Sequence, residues 1–221
     1  MSAACRRRDV VSTECGAAPD ATARHYAGGR VDDILVVGVG GQGVILAATV
    51  VADTALLHGG LDVKLSETRG MSQRGGTVSS HIRIGERVVA PTISPGEVDF
   101  LVAFEVAEGL RHAPSLRPGG VAIVTTQQIV PPLASTGVAY PHDAVERLAA
   151  RDAHVTVVDA DALAAEVGDV RVAGIVLVGA LAAHLPFAAA TWRRALERNV
   201  PARWLELNLA AFARGREVGG V

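Results

Sequence analysis

At 221 residues the chain is long enough for one domain of ordinary size with a substantial core. Hydrophobic residues make up 49% and aromatics only 4%, so Val, Ala, Leu and Ile must build that core. A net charge of −2 excludes the strongly basic footprint of nucleic-acid binders, and no run of cations forms a patch for a membrane surface.

Residues 1–30 are small, polar and glycine-punctuated, and read as a disordered tail. Both cysteines, Cys5 and Cys15, lie there. Two thiols are too few for a disulfide framework or a four-cysteine iron–sulfur site. The arginines at the start precede no apolar stretch of signal-peptide length, and no apolar run is long enough to span a bilayer. The expectation is a cytoplasmic protein.

The folded domain is expected over 31–217. "DDILVVGVG" is a short apolar run ending in glycine, which reads as a buried parallel strand. "QGVILAATVVADTALLHGG" reads as a helix packed on most of its surface and closed by Gly59 and Gly60. "LDVKLSE" completes a β–α–β unit. In "TVSSHIRIG" the residues Val78, Ser80, Ile82 and Ile84 alternate with Thr77, Ser79, His81 and Arg83, the pattern of a half-buried strand. Gly85–Glu86 then reads as a hairpin turn into "RVVAP", an antiparallel excursion.

"VDFLVAFE" and "VAIVTT" are further strands, with the short helix "VAEGLRHAPSL" between them. "DAVERLAARDA", "HVTVVDA" and "DALAAEVG" read as helix, strand and helix. From Val170 the chain is helical: an apolar helix, a second whose polar part starts at Thr191 and Trp192, and a third with Leu205, Leu209 and Phe212 at helical spacing. The fold class is therefore α/β: one Rossmann-like domain with a mostly parallel sheet, an antiparallel hairpin excursion and a helical C-terminal end.

Two glycine loops carry the chemistry. Gly38, Gly40, Gly41, Gln42 and Gly43 form "GVGGQG", a G-x-G-x-x-G turn between strand and helix. Glycine allows backbone to approach a ligand closely, and the helix N-terminus exposes free N–H groups. Glu67, after the second strand, roughly mimics the ribose-binding carboxylate of dinucleotide enzymes. It opens a second loop holding Arg69, Gly70, Ser72, Gln73, Arg74, Gly75 and Gly76. If the two strands are neighbours, the loops emerge side by side and can clasp an anionic group or a partner's backbone. The blander reading pairs Glu67 locally with an arginine.

Other residues have structural readings beside functional ones. Glu105 can reach the site or cap the next helix. Asp159 and Asp161 read as a strand end and helix cap rather than metal ligands. His81 reads as a surface or interface residue, Trp192 and Trp204 as packing or interface residues, and Asn208 as a helix-surface residue.

The stretch "ILVVGVGGQGVILAATVVADTALLHGGLDVKLSETRGMSQRGGTVSSHIRIGE" resembles the gamma-type domain of the 2-oxoacid:ferredoxin oxidoreductases, and within them the indolepyruvate type. "VDFLVAFEVAEGLRHAPSLRPGGVAIV" and "VPARWLELNLAAFARGRE" extend the resemblance over about 33–217. It implies a non-cluster subunit of an enzyme that oxidatively decarboxylates a 2-oxoacid to an acyl-CoA and passes electrons to ferredoxin. Thiamine diphosphate, Mg2+ and iron–sulfur clusters are then expected on a larger partner subunit, with coenzyme A as co-substrate and no cofactor held by this chain alone. The chain departs from the family at Gly174, where an asparagine is frequent, and at Thr68–Arg69, where a histidine is expected nearby. Two alternatives stand beside this reading: an independent NAD(P)-binding oxidoreductase, and a non-catalytic binding module.

Overall fold

The structure, a computed structural model, describes residues 25–70, 76–130, 140–151 and 153–220. Six strands form one sheet in the order β2-β3-β1-β4-β5-β6. They are β1 (Val31–Val39), β2 (Asp62–Arg69), β3 (Thr77–Gly85), β4 (Val98–Ala103), β5 (Leu116–Thr125) and β6 (Ala153–Val158). β1, β4, β5 and β6 pair in parallel. β3 runs antiparallel to both its neighbours, β1 and β2.

The helices are α1 (Val44–His58), α2 (Val106–His112), α3 (Ala144–Ala149), α4 (Ala160–Val167), α5 (Ala173–Ala182), α6 (Ala189–Asn199) and α7 (Leu205–Gly219). They cover both faces of the sheet. On β1, Ile34 and Val36 enter one core with residues of α1, α5, α6 and α7, while Leu35 and Val37 enter the other with residues of α2 and α3. Burial on both faces is why this strand reads as an apolar run from Ile34 onward.

Two sequence expectations are corrected. β1, α1 and β2 do not form a β–α–β unit of neighbouring strands, because β3 is inserted between β1 and β2. Nor is Gly85 a hairpin turn: it pairs with Val31 on one side and Asp62 on the other. It is glycine because a Cβ there would stand 2.9 Å from the Arg30 carbonyl oxygen. The segment after it forms no strand. The alternation itself is observed, with Val78, Ser80, Ile82 and Ile84 all buried.

The ordered chain also begins before residue 31. Tyr26 is fully buried, and its hydroxyl donates to Asp32 at 2.8 Å. His25 reaches both oxygens of the same carboxylate at 2.9 and 3.1 Å. Burial, with the Asp32 charge adding to it, pushes the Tyr26 phenol far above its usual range. The rest of the tail, with Cys5 and Cys15, lies outside the described residues. Trp192 does not open a polar face: it is fully buried, with Phe187 and Phe212 at centroid distances of 6.1 and 5.4 Å.

The C-terminal helices approach unusually closely. A Cβ at Gly179 of α5 would lie 2.2 Å from the Phe212 carbonyl oxygen, and one at Gly215 of α7 would lie 1.9 Å from that of Val176. The contact is backbone against backbone.

α2 begins at a buried acidic cluster. Glu105 caps it, accepting from the Glu108 amide at 2.8 Å. The same carboxylate accepts from the Ile129 amide at 3.1 Å and from the Tyr140 hydroxyl, so it holds two later segments against β4. Of its two readings, the cap is the one observed. Glu108 has one carboxylate oxygen buried without a hydrogen-bond partner and the other 3.3 Å from Arg111. Burial raises its pKa, Arg111 opposes, and Glu105 adds to the rise. The folded pKa thus lies above the unfolded one, and the folded state loses stability as pH climbs through that window. Glu108→Gln is therefore expected to melt higher than the wild type at about pH 8 and to lose that advantage by about pH 4. A difference in Tm that does not change with pH would remove the charge as its cause.

Candidate functional site

β1 ends at Val39, and the chain turns through Gly40–Gly43 into α1. The glycines have different reasons. Gly41 and Gly43 have φ of 103° and 85°, in the left-handed region. Gly38 has no room for a Cβ, which would stand 2.8 Å from both Gln42 Oε1 and Phe104 Cβ. Gly40 carries neither constraint, since the nearest atom to its Cβ position is the Gly76 carbonyl oxygen at 3.6 Å. α1 starts at Gly43 without a side-chain cap or an acidic residue in its first turn. Its first N–H groups therefore have no intrahelical acceptor, as at any helix N-terminus.

Gln42 is not a free ligand contact. Its Oε1 accepts from the Val39 amide at 2.6 Å, and its Nε2 donates to the Phe104 carbonyl and to Gln127 Oε1, both at 2.5 Å. The Val39 amide can only donate and the Phe104 carbonyl only accept, so the orientation of the Gln42 amide follows. Gln127 must then turn its Nε2 outward, and it donates to Asp161 Oδ2 at 2.9 Å. One side chain thereby ties the C-terminal ends of β1, β4 and β5 together.

These groups floor a cleft of about 400 Å3 at the C-terminal edge of the parallel strands, where ligands of open α/β sheets bind. Gly41, Gln42, Phe104, Gln127, Asp161 and Gly174 line it. Arg171 stands at its rim, bound to Asp169 through Nε at 2.9 Å and Nη2 at 2.5 Å. That guanidinium holds the Asp169 carboxyl down at about 2. Asp159 caps α4, accepting from the Ala162 amide at 3.1 Å. Asp161 meets Gln127 and faces the cleft, a position the sequence reading did not assign. Gly174 is explained by Phe104: a Cβ at 174 would lie 2.6 Å from its ring. The aromatic ring fills the space that an asparagine there would need.

The second loop is placed differently from expectation. β2 runs past Glu67, where the strand was expected to end, through Thr68 and Arg69, and Gly70 follows. Glu67 pairs with Arg69 at 3.4 Å on the surface. Ser72, Gln73, Arg74 and Gly75 lie outside the described residues. Gly76 does reach the first loop, its carbonyl accepting from the Gly40 amide at 2.9 Å. The two loops thus meet through the start of β3, not through neighbouring parallel strands. Glu67 is two strand positions from β1, on the order of 10 Å across the sheet. That removes the geometry of a ribose-binding carboxylate, which sits on the strand next to the glycine turn.

His81 is half-buried, its Nδ1 accepting from the Ile93 amide at 3.3 Å, and burial lowers its pKa. Asn208 is buried rather than exposed, and donates to the Trp204 carbonyl at 2.7 Å. Among the described residues no group of three or more His, Cys, Asp or Glu side chains is placed to hold a metal ion, and no helix is long and apolar enough to cross a membrane. The chain's two cysteines cannot supply the four ligands of an iron–sulfur cluster.

Gln127 was missed, and Asp161 was read only as a strand end or helix cap, because no motif marks either; Gly174 stood out only as a departure from the family pattern. The available signal was position, since Gln127 follows the end of β5 and Asp161 the end of β6.

The family model for pyruvate ferredoxin/flavodoxin oxidoreductase matches residues 33–218. The chain belongs to that family. It is 37% identical over 188 residues to the indolepyruvate oxidoreductase subunit IorB of Archaeoglobus fulgidus, covering 83% of this chain and 92% of that protein. It is 30% identical over 190 residues to the 2-oxoglutarate synthase subunit KorC of Methanothermobacter thermautotrophicus, covering 84% and 94%. The crystal structure of the gamma subunit of a keto/oxoacid ferredoxin oxidoreductase from Geobacter sulfurreducens superposes with a TM-score of 0.65 at 26% identity, covering 85% of this chain and 98% of that one. Within the pyruvate ferredoxin/flavodoxin oxidoreductase family the chain is thus of the small-subunit type. The expected resemblance and the α/β fold both stand.

Proposed function

We propose that the chain is the non-cluster subunit of a thiamine-dependent 2-oxoacid:ferredoxin oxidoreductase of the indolepyruvate type. The observation that carries this reading is the similarity to subunit IorB over 92% of that protein. The enzyme converts an aryl 2-oxoacid and coenzyme A to acyl-CoA and CO2, and the two electrons released reduce ferredoxin. A larger, cytoplasmic partner subunit holds thiamine diphosphate, Mg2+ and the iron–sulfur clusters. Thiamine supplies the carbanion stabilisation that decarboxylation needs. This chain's share is positional. The turn at Gly40, Gly41, Gln42 and Gly43, for which the buried Gly38 makes room, and the segment from Glu67 through Arg69, Gly70, Ser72, Gln73, Arg74 and Gly75 to Gly76 are the parts that meet the partner and wall the entrance for coenzyme A in this reading. Gln42 keeps that wall rigid by spending its hydrogen bonds on the scaffold.

The test is anaerobic co-purification with the larger subunit, followed by coenzyme A-dependent reduction of ferredoxin or viologen across a series of 2-oxoacids. The expected result is a brown complex that prefers aryl pyruvates. A colourless chain that purifies alone and binds NAD or NADP would sink the reading. Gly40→Ala adds a second arm. It has steric room to fold as the wild type does. A loss of turnover at unchanged Tm then reports close approach of a ligand or partner to that backbone.

A further inference from the structure

We propose that the groove between the first turn of α1 and the start of α7 is the surface on which the larger subunit docks. The inference rests on the functional reading above, which supplies that subunit; it adds where the two chains meet.

The groove has a volume of about 190 Å3. Its walls include Leu46, Val172, Val200, Trp204 and Leu207, with Arg171 at one end. Leu46, Val170 and Trp204 are three of the eight large apolar side chains exposed among the described residues. All three gather around Arg171: two share the groove with it, and Val170 is its neighbour in the chain. Singly exposed apolar residues need no explanation, but such a cluster does. Trp204 is 36% exposed, and its ring lies 4.9 Å from the Arg171 guanidinium carbon and 5.8 Å from that of Arg203. An exposed cation–π contact is worth only about 0.5–1 kcal/mol, too little to account for holding an indole at the surface. Tryptophan and arginine at the edge of an apolar pocket are the residues that dominate binding energy at protein interfaces.

Charge and position choose the occupant. The Arg171 charge is already met by Asp169. Arg203 forms no ion pair with a carboxylate among the described residues, and its guanidinium carbon lies over the Trp204 ring. The partner segment therefore brings an apolar side chain for the groove and an aspartate or glutamate for Arg203. A second copy of this chain fits poorly, because in a two-fold contact the same patch must supply both sides, and the carboxylate that lines the groove, Asp169, is already bound to Arg171. The groove also adjoins the cleft. Arg171 lines both, and Leu46 lies in the helical turn that follows Gly43. A subunit that covers the glycine turn reaches the groove without a second interface.

The test uses the full chain co-expressed with its larger subunit. Leu46→Asp and Arg203→Glu are compared with Val89→Asp, an 86% exposed position that does not line the groove. Both groove variants are expected to keep the wild-type Tm and to weaken the complex at least about tenfold, while Val89→Asp leaves it unchanged. Arg203 supports no core contact, so Arg203→Glu remains informative even if Leu46→Asp disturbs α1. Unchanged affinity in both groove variants, with the wild type binding normally, overturns the docking surface and leaves the functional reading intact. Failure of the wild-type chain to bind the larger subunit overturns both.

Discussion

Gly215→Ala is expected to destabilise the subunit by about 3–5 kcal/mol, the largest effect of any single methyl group added to it. Helix propensity alone argues the other way, since alanine in a helix interior is favoured over glycine by about 1 kcal/mol. Geometry decides the sign. The new Cβ would lie 1.9 Å from the Val176 carbonyl oxygen and 2.8 Å from its carbonyl carbon. Both atoms are backbone of α5, so no side chain can rotate away and the two helices must separate. Separation would also loosen the core in which Val176, Leu181, Ala211 and Phe212 meet. At about 2–4 °C per kcal/mol for a chain of this size, the melting temperature should fall by roughly 6–20 °C. Thermal unfolding of the purified variant measures it. A fall of less than about 3 °C would mean that the α5–α7 contact yields cheaply.

Gln42→Glu is the second large effect, expected at about 2–4 kcal/mol although the two side chains have nearly the same shape. The glutamine amide donates to two oxygens, Phe104 O and Gln127 Oε1. A carboxylate in its place sets oxygen against oxygen at both contacts, in a partly buried site where charge is costly. Gln127 then has to turn over or withdraw, and its bond to Asp161 goes with it. Gln42→Ala should cost a similar amount by leaving the Val39 amide and the Phe104 carbonyl unpaired. Hydrogen exchange at the Val39 and Gln127 amides, with Tm, separates local from global loss. Wild-type protection in both variants would show that the strand ends hold together without Gln42.

Gln42 also shows how the sequence informs and misleads. Its place in a G-x-G-x-x-G turn was plain, and with it the turn's location at the end of β1. Its task was not, because the residues it binds lie far along the chain: Phe104 is 62 positions away and Gln127 is 85. The motif suggested Glu67 as the companion carboxylate, but the companion at the cleft is Asp161, reached through Gln127. Gly174 was visible only as a departure from a family pattern. Its reason, the ring of Phe104, is a contact between β4's end and α5.

Local pattern was legible where burial is a local matter. β1 from Ile34 onward and most of α1 are apolar runs closed by glycines, and β3 alternates because one of its faces is buried and the other is not. Those periodicities follow from backbone geometry, 3.6 residues per helical turn and two per strand repeat. By itself the sequence therefore determined the element types, most of their boundaries, the α/β class, the glycine turn and the family. Only the tertiary structure decided that β3 lies between β2 and β1, that Gly85 is a close contact rather than a turn, and that Tyr26 belongs to the core. Strand order, helix contact and cleft lining are each settled by which distant surfaces exclude water together, and periodicity along the chain carries no record of the surface on the other side.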